Sequence, residues 1–226
     1  GNVKLGKQIY TLDDHRFIGH VGWRQNIQTF EALTGAFTMV DDLTVKAFFI
    51  DQQATVFAGN NDLNVLGINA SYKVAPELTV TAFGYSLEGQ DIAAQSNDTF
   101  GVRLTGSKKF EDITVKYAFS YAYQEDAYDS PLTYDADYKA GDVSAIFSGV
   151  TVGAGFEILE PGFRTPLATV HKFNGYADAL LPLAGFTQGL KDMYVYVGYK
   201  IPVGNGIGAK LVYHWFDSET GAAGFD

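Results

Sequence analysis

Hydrophobic and polar residues alternate along most of this chain. The clearest case runs from Thr99 to Gln124, where two alternating arms flank Glu111-Asp112. In the second arm, large apolar or aromatic residues occupy every second position from Ile113 to Tyr123, and small, polar or cationic residues fill the others. A period of two places successive side chains on opposite faces of a strand. The stretch therefore predicts an antiparallel hairpin.

Each arm of this hairpin has about a dozen residues. Strands usually have about five or six residues, whereas a tilted strand needs about nine to eleven to cross a bilayer. One face is rich in aromatic residues and the other carries Arg103 and Lys116, as expected if one side meets lipid and the other a wet lumen. The hairpin therefore favours a membrane barrel.

The same alternation predicts about eleven strands, joined by connections that are alternately short and long. Short turns are expected at Asp41, Ala75, Glu111, Gly141 and Val203, and long segments at Thr11, Gln53, Glu88, Asp126 and Glu160. Gly141-Asp142 is interpreted as a tight turn that leads into a strand from Val143 to Ile158. Short turns on one side and long loops on the other are typical of outer-membrane barrels. The predicted fold class is all-β, a transmembrane antiparallel up-and-down β-barrel.

We expect residues 1–226 to form a single β-barrel domain. Closed bacterial barrels normally have an even number of strands, so about eleven strands suggest that others are missing at both ends of this chain and that the whole barrel has about 18. Nothing in the composition marks a second domain.

Composition narrows the partners. The net charge of -10 argues against a nucleic-acid partner. Because the chain has no Cys, it has neither disulfides nor thiolate metal sites, which is compatible with a Gram-negative envelope protein. The 14 Tyr, 17 Phe and 25 Gly suit a β-protein with aromatic girdles and close strand contacts.

Function is expected in the lumen, because the side chains that line it set the pore size and the electric field. The candidate residues of the lumen and solute pathway are Lys4, Arg16, Arg24, Lys46, Arg103, Lys116, Asp135, Asp137, Lys139 and Lys210. Cations outnumber acids in this set, which predicts passage of anionic solutes. The alternative is that these are solvated wall residues balanced by other strands.

Two long segments are candidates for narrowing the lumen. Arg16 and Arg24 lie in the first of them, which either folds inward as a constriction or stays exposed. The segment from His171 to Asp178 is interpreted as a plug or as a loop cap.

Catalytic and metal-binding signals are weak. Asp13-Asp14-His15 invites comparison with a carboxylate–histidine site, but adjacency in sequence does not supply the geometry that such chemistry needs. The cluster Asn60-Asn61-Asp62 resembles solvated loop residues more than a Ca²⁺ site. We predict no catalytic residue, no metal ligand and no cofactor.

Two groups of short blocks lie mostly in the less regular parts of the chain. The first comprises Leu5-Gly6-Lys7-Gln8, Arg16-Phe17-Ile18-Gly19, Trp23-Arg24-Gln25-Asn26 and Thr29-Phe30-Glu31-Ala32. The second comprises Thr165 to Thr169, His171 to Asp178, Gly189 to Tyr194 and Val212 to Phe216. These blocks are similar to motifs of the alginate-export family of outer-membrane porins, with Lys7 and Glu31 replacing that family's usual Arg and Asp. The resemblance implies a porin that continues past the last loop with further strands.

Together, pattern and resemblance predict a porin of the bacterial outer membrane, surrounded by lipid. Small polar or anionic solutes would diffuse passively through a charged lumen, and the protein would not be an enzyme. Two alternatives remain open. One is an outer-membrane β-barrel lipase or protease that uses His15, His20 or His171; the other is a secreted β-sandwich or surface adhesin.

Overall fold

The computed structural model describes residues 1–201 and 207–221, which form one antiparallel sheet of eleven strands. The strands are β1 Asn2–Gln8, β2 Thr29–Val40, β3 Leu43–Ala54, β4 Asn60–Ala75, β5 Leu78–Gly89, β6 Asn97–Phe110, β7 Ile113–Asp126, β8 Asp135–Phe147, β9 Val150–Leu159, β10 Leu190–Ile201 and β11 Ile207–Asp217. Each strand pairs with the next one in sequence, so the up-and-down order is unbroken. The predicted all-β class and strand number are confirmed.

The connections define two ends of the sheet. Two-residue turns at 41–42, 76–77, 111–112 and 148–149 form the turn end. Longer segments at 9–28, 55–59, 90–96, 127–134 and 160–189 form the loop end. We call residues 9–28 loop A and residues 160–189 loop B. The predicted turn at Val203 lies outside the described residues.

One face of the sheet is apolar and exposed, and we call it the outer face. Leu66 is 65% exposed and Leu211 is 71% exposed, and Phe100, Phe119 and Val195 project from the same side. A contiguous apolar surface of this kind is unusual on a soluble protein. It is the ordinary lipid-facing band of a membrane barrel. No helix within the described residues is long and apolar enough to cross a membrane.

The opposite, inner face is covered by loops A and B near the loop end. Leu12 and Ile18 of loop A and Phe163 and Leu167 of loop B are buried against inward side chains of the strands. The strand residues of this core include Phe30, Ile50, Leu63, Val65, Leu87 and Leu159. Burial of this apolar surface, at roughly 25 cal/mol per Å², explains why such long segments pack on the sheet instead of extending into solvent.

Glycines let aromatic rings lie flat on the inner face. A Cβ at Gly67 would collide with the ring of Phe48, and a Cβ at Gly101 would collide with the ring of Phe83. Glycine is favoured where another group approaches the backbone this closely. The rings of Phe48 and Phe83 thereby join the core under the loops.

The predicted turn at Gly141-Asp142 is wrong. Strand β8 runs through both residues to Phe147, and the turn falls at Ser148-Gly149, where both residues have positive φ of 47° and 79°. The predicted strand from Val143 to Ile158 is therefore the end of β8 and most of β9. Strand β8 continues because Gly141 and Asp142 keep their pairing with Phe119 and Ala118 of β7.

Candidate solute pathway

The inner face is basic from the middle of the sheet to the turn end. The strand register places a series of cations on this side: Lys4, Lys46, Lys73, Arg103, Lys109, Lys116, Lys200 and Lys210. Among the described strand residues of this half, Asp142 is the inward carboxylate. The inner face here therefore carries an excess of positive charge, although the whole chain is acidic.

A recess of about 330 Å³ lies between loops A and B and the inner faces of the later strands. Its charged and hydroxyl-bearing lining includes Arg103, Asp142, Lys172, Tyr194, Tyr196 and Lys210. It is large enough for a small organic solute.

The acids of the recess are already engaged. Asp142 accepts hydrogen bonds from the hydroxyls of Tyr194 at 3.1 Å and Tyr196 at 3.0 Å. Asp14 pairs with Nη1 of Arg103 at 2.7 Å, and the same nitrogen donates to Ser120 Oγ at 2.7 Å. Glu157 and Asp192 also line the recess, where Glu157 pairs with Arg16 and Asp192 contacts Nδ1 of His214. All four carboxylates of the recess therefore have ion-pair or hydrogen-bond partners.

Two lysines of the recess remain available. Lys210 Nζ lies 4.1 Å from the ring centroid of Tyr196, and Lys172 Nζ donates to the backbone carbonyl of Asp14 at 3.0 Å. Neither ammonium forms an ion pair with a carboxylate of the described residues. Both ammonium groups are therefore open to pairing with an anionic group, in a recess where Asp142, bound by neutral hydroxyls, keeps its negative charge.

Loop A crosses the inner face and bonds to three strands in succession. Asn69 of β4 donates to Asp13 at 2.8 Å, Arg103 of β6 pairs with Asp14, and Glu157 of β9 pairs with Arg16 at 2.8 Å. A polar chain that spans the sheet in this way narrows the space in front of it. The first long segment therefore folds inward over the sheet, and its role as a constriction stays a prediction.

Loop B meets loop A over the same face. The amide of Gly19 donates to the carbonyl of Leu167 at 2.9 Å, and the amide of Thr169 donates to the carbonyl of His15 at 2.9 Å. His171, in the segment predicted to be a plug or a loop cap, is buried. The two loops therefore form one layer on the inner side.

Burial shifts the pKa of two loop A groups in opposite directions. The pKa of Asp13 is raised, chiefly by burial, although the hydrogen bond from Asn69 opposes the shift. The pKa of His15 is lowered, chiefly by burial and further by the charges of Lys172 and His20. Asp13 and Asp14 hydrogen-bond to Asn69 and pair with Arg103, respectively, so the geometry does not join them to His15 as a carboxylate–histidine site.

Five predicted residues lie on the inner face: Lys4, Lys46, Arg103, Lys116 and Lys210. Arg24 lies at the mouth, where it is half-exposed and contacts Asp178 at 3.3 Å. Asp178 also contacts Nδ1 of His171 at 2.8 Å, and the ring of Trp23 stacks on that histidine at 4.2 Å.

Arg16 does not line the pathway as predicted. Its side chain is 1% exposed and is enclosed by Glu157, Asn174 and the ring of Phe173. The prediction is wrong because a buried arginine is stabilised by its carboxylate partner and not by solvent.

The prediction that Asp135, Asp137 and Lys139 face the lumen is also wrong. Ala136 and Tyr138, which alternate with these three residues along β8, are buried on the inner face. The odd-numbered residues of β8 therefore point outward. There, Asp137 accepts a hydrogen bond from Tyr121, and Lys139 pairs with Asp137 and Glu160. Tyr138 of this strand belongs to the core under the loops and not to the lipid face.

Several residues of the inner face and of the recess were not predicted from the sequence. Lys73 is on the polar side of an alternating stretch, so its phase carried a signal. Lys172, Tyr194 and Tyr196 reach the recess through the fold of loop B and the pairing of β10, which no local pattern reveals.

Solved structures with a similar fold are outer-membrane porins. The chain is similar to Acinetobacter baumannii OccAB4 with a TM-score of 0.72 and 14% identity, covering 94% of this chain and 56% of that one. The chain is similar to Pseudomonas aeruginosa OpdO with a TM-score of 0.70 and 13% identity, covering 94% of this chain and 59% of that one. For a BenF-like porin from Pseudomonas fluorescens Pf-5, the TM-score is 0.66 and the identity 13%, covering 96% of this chain and 69% of that one.

These likenesses establish the fold. The chain spans less than two thirds of the length of OccAB4 and OpdO. No family model matches the sequence, and no curated protein matches it. The resemblance to the alginate-export family is wrong, because the structures similar to this chain are Occ and Opd porins and the BenF-like porin.

Proposed function

We propose that this chain is part of an outer-membrane porin through which small polar or anionic solutes diffuse passively. The observation that carries the proposal is the charge of the inner face from the middle of the sheet to the turn end, where a series of lysines and Arg103 point inward and Asp142 is the inward carboxylate among the described strand residues. Fixed positive charge along a water-filled passage favours anions. The solute crosses down its own gradient, and no bond is made or broken.

The fold and its apolar outer face support a location in the bacterial outer membrane, with lipids as the surrounding partners. In a bilayer, open strand edges are not tolerated. Strands β1 and β11 form the two edges of the described sheet. We therefore propose that residues 1–226 form one β-barrel domain, completed by further strands into a larger barrel.

Aromatic carboxylates are useful test solutes. One solved structure of similar fold is Pseudomonas aeruginosa OpdK with vanillate, at a TM-score of 0.64 and 14% identity. In this chain, the recess combines the rings of Tyr194 and Tyr196 with the ammonium groups of Lys172 and Lys210. A flat anion could stack on the rings and pair with the lysines.

Reversal potentials in a salt gradient test the proposal. The protein that contains this chain should form channels in planar bilayers and prefer chloride to potassium. Lys116→Gln should reduce this preference because Lys116 is on the inner face. Lys139→Gln is the matched control, since Lys139 lies on the other side and pairs with Glu160. A cation-preferring pore would contradict the anion proposal, and absence of channels would contradict the porin proposal.

A further inference from the structure

We propose that the buried Arg16–Glu157 pair positions the constriction, holding loops A and B against strand β9 and thereby fixing the width of the passage. Arg16 would act without touching the solute. The part of the inference that concerns pore width rests on the proposed porin function. The anchoring of the loops can be measured independently of conduction.

The pair makes two close contacts, of which one is a hydrogen bond. Nη2 of Arg16 donates to Oε2 of Glu157 at 2.9 Å, and Nε lies 2.8 Å from Oε1 as an ionic contact without hydrogen-bond alignment. Both side chains are almost fully buried. Paired contacts between a guanidinium and a carboxylate fix orientation as well as distance, so the pair defines where loop A sits relative to the wall.

Loop B and strand β8 complete the same site. Asn174 of loop B donates to Oε2 of Glu157 at 2.6 Å and accepts from Nη2 of Arg16 at 3.3 Å. Tyr138 of β8 donates to Oε1 at 2.7 Å. The guanidinium also lies 4.6 Å from the ring centroid of Phe173. The carboxylate is therefore fully compensated only when both loops are in place.

The anchor is adjacent in sequence to groups that line the recess. Asp14 lies two residues before Arg16 and pairs with Arg103; Lys172 lies two residues before Asn174 and bonds to the carbonyl of Asp14. Release of Arg16 or Asn174 would displace these groups from the recess. The pair thus controls the placement of the charges of Asp14 and Lys172 in the recess, beside that of Glu157 itself.

Loss of one partner should release the loops because the other charge would stay buried without compensation. Breaking a buried pair is strongly destabilising, whereas replacing both partners by apolar residues of similar volume is often tolerated. Arg24 and Asp178 provide a matched comparison, since they also join loop A to loop B but are much more exposed. Exposed pairs contribute little.

The first test uses a thiol reporter, which the Cys-free chain makes specific. Ala168 is buried in loop B. Ala168→Cys should react slowly with a maleimide in the otherwise unchanged protein. Adding Glu157→Gln or Arg16→Met should accelerate labelling by at least about tenfold through local opening. Arg24→Met should leave the rate unchanged, and the double variant Arg16→Met/Glu157→Met should restore most of the protection.

The second test measures single-channel conductance of the same variants in planar bilayers. Glu157→Gln and Arg16→Met should give larger and noisier conductance, Arg16→Lys an intermediate value, and Lys139→Gln, which lies on the outer face, the unmodified value. A heat-modifiable gel shift identifies variants that retain the barrel.

The outcomes separate the two proposals. Wild-type conductance and slow labelling in folded Glu157→Gln and Arg16→Met would overturn the anchoring inference while the porin proposal stands. Faster labelling with unchanged conductance would overturn the role of the pair in setting pore width. A protein that forms no channels but shows faster labelling would contradict the porin proposal and support the anchor.

Discussion

Asp13 and His15 are two positions apart in loop A and respond to pH in opposite ways. The pKa of His15 in the folded loop is lowered from 6.5. Neutral His15 therefore contributes fully to the stability of the folded loop above pH 6.5, and this contribution is lost as pH falls through the lowered pKa. Because the pKa of Asp13 is raised from 3.8, stability is lost as pH rises from 3.8 through the raised value. Protonation of His15 is therefore the step that weakens the loop below neutrality.

Loop A should open more often at pH 5.5 than at pH 7.5. Hydrogen exchange of residues 9–28, corrected for the intrinsic effect of pH, should accelerate on acidification. His15→Gln removes the titrating group and should abolish most of the acceleration, while His214→Gln should leave it in place, since His214 is on β11 and bonds to Asp192. Equal acceleration in His15→Gln would exclude His15 as the cause.

Element-scale structure was predictable wherever alternation was unbroken. The hairpin from Thr99 to Gln124 was predicted with its turn at Glu111-Asp112, and the structure confirms both. Gly141-Asp142 resembled a turn because glycine and aspartate are common turn residues. The pairing of Gly141-Asp142 with strands β7 and β9 on either side leaves no signal in the local sequence. The Arg16–Glu157 contact was equally inaccessible, since a long-range side-chain pair leaves no local pattern.

The outer face of β6 should not tolerate a charge. Val102→Arg places a cation on the exposed apolar side near the middle of the strand and should cost about 2–4 kcal/mol in lipid. Thr105→Arg, on the inner face of the same strand, should cost much less. Urea unfolding in lipid vesicles measures both. Similar losses for the two variants would contradict the assignment of the faces.

Even a methyl group at Gly67 should lower the stability of the protein. Gly67→Ala forces the ring of Phe48 to move, and overpacking of this kind costs about 1–3 kcal/mol. Gly208→Ala is the control, because no atom of the described residues lies within 4 Å of its Cβ position, and should change stability by less than about 0.5 kcal/mol. The same unfolding measurement compares them. A neutral Gly67→Ala would show that the ring does not rest on the glycine.

At the scale of the whole molecule, charge is separated by location. The chain carries a net charge of -10, yet its inner strand positions toward the turn end are basic. Acids concentrate in turns and loops, including Asp41-Asp42 and Glu111-Asp112. The net charge of the sequence could therefore not predict the charge of the inner face. Alternation predicted five of the cations on this face, but not the residues that loop B contributes.

Anion preference should weaken with salt. The Debye length falls from about 8 Å at 0.15 M to about 3 Å at 1 M, so the lysines of the inner face would act over shorter distances. Reversal potentials measured at a fixed concentration ratio should shrink as the mean salt concentration rises. A preference independent of salt would point to close binding of the anion instead of the summed field.

Residues 1–226 expressed alone should not form a closed barrel, because β1 and β11 are edges. We expect this segment to lack the heat-modifiable gel shift and to form no stable channels, whereas the protein that contains it should show both. A heat-modifiable, conducting product from residues 1–226 would contradict the proposed larger barrel.

The Arg16–Glu157 pair also bears on the order of assembly. Its partners are 141 residues apart in the chain. If strands join the sheet in sequence order, loop A is already on the inner side while β3 to β8 are added. Arg16 then has no carboxylate partner until β9 brings Glu157 into the sheet. Narrowing of the passage is thus a late event, and an assembly intermediate that ends before β9 would have a mouth wider than that of the finished protein.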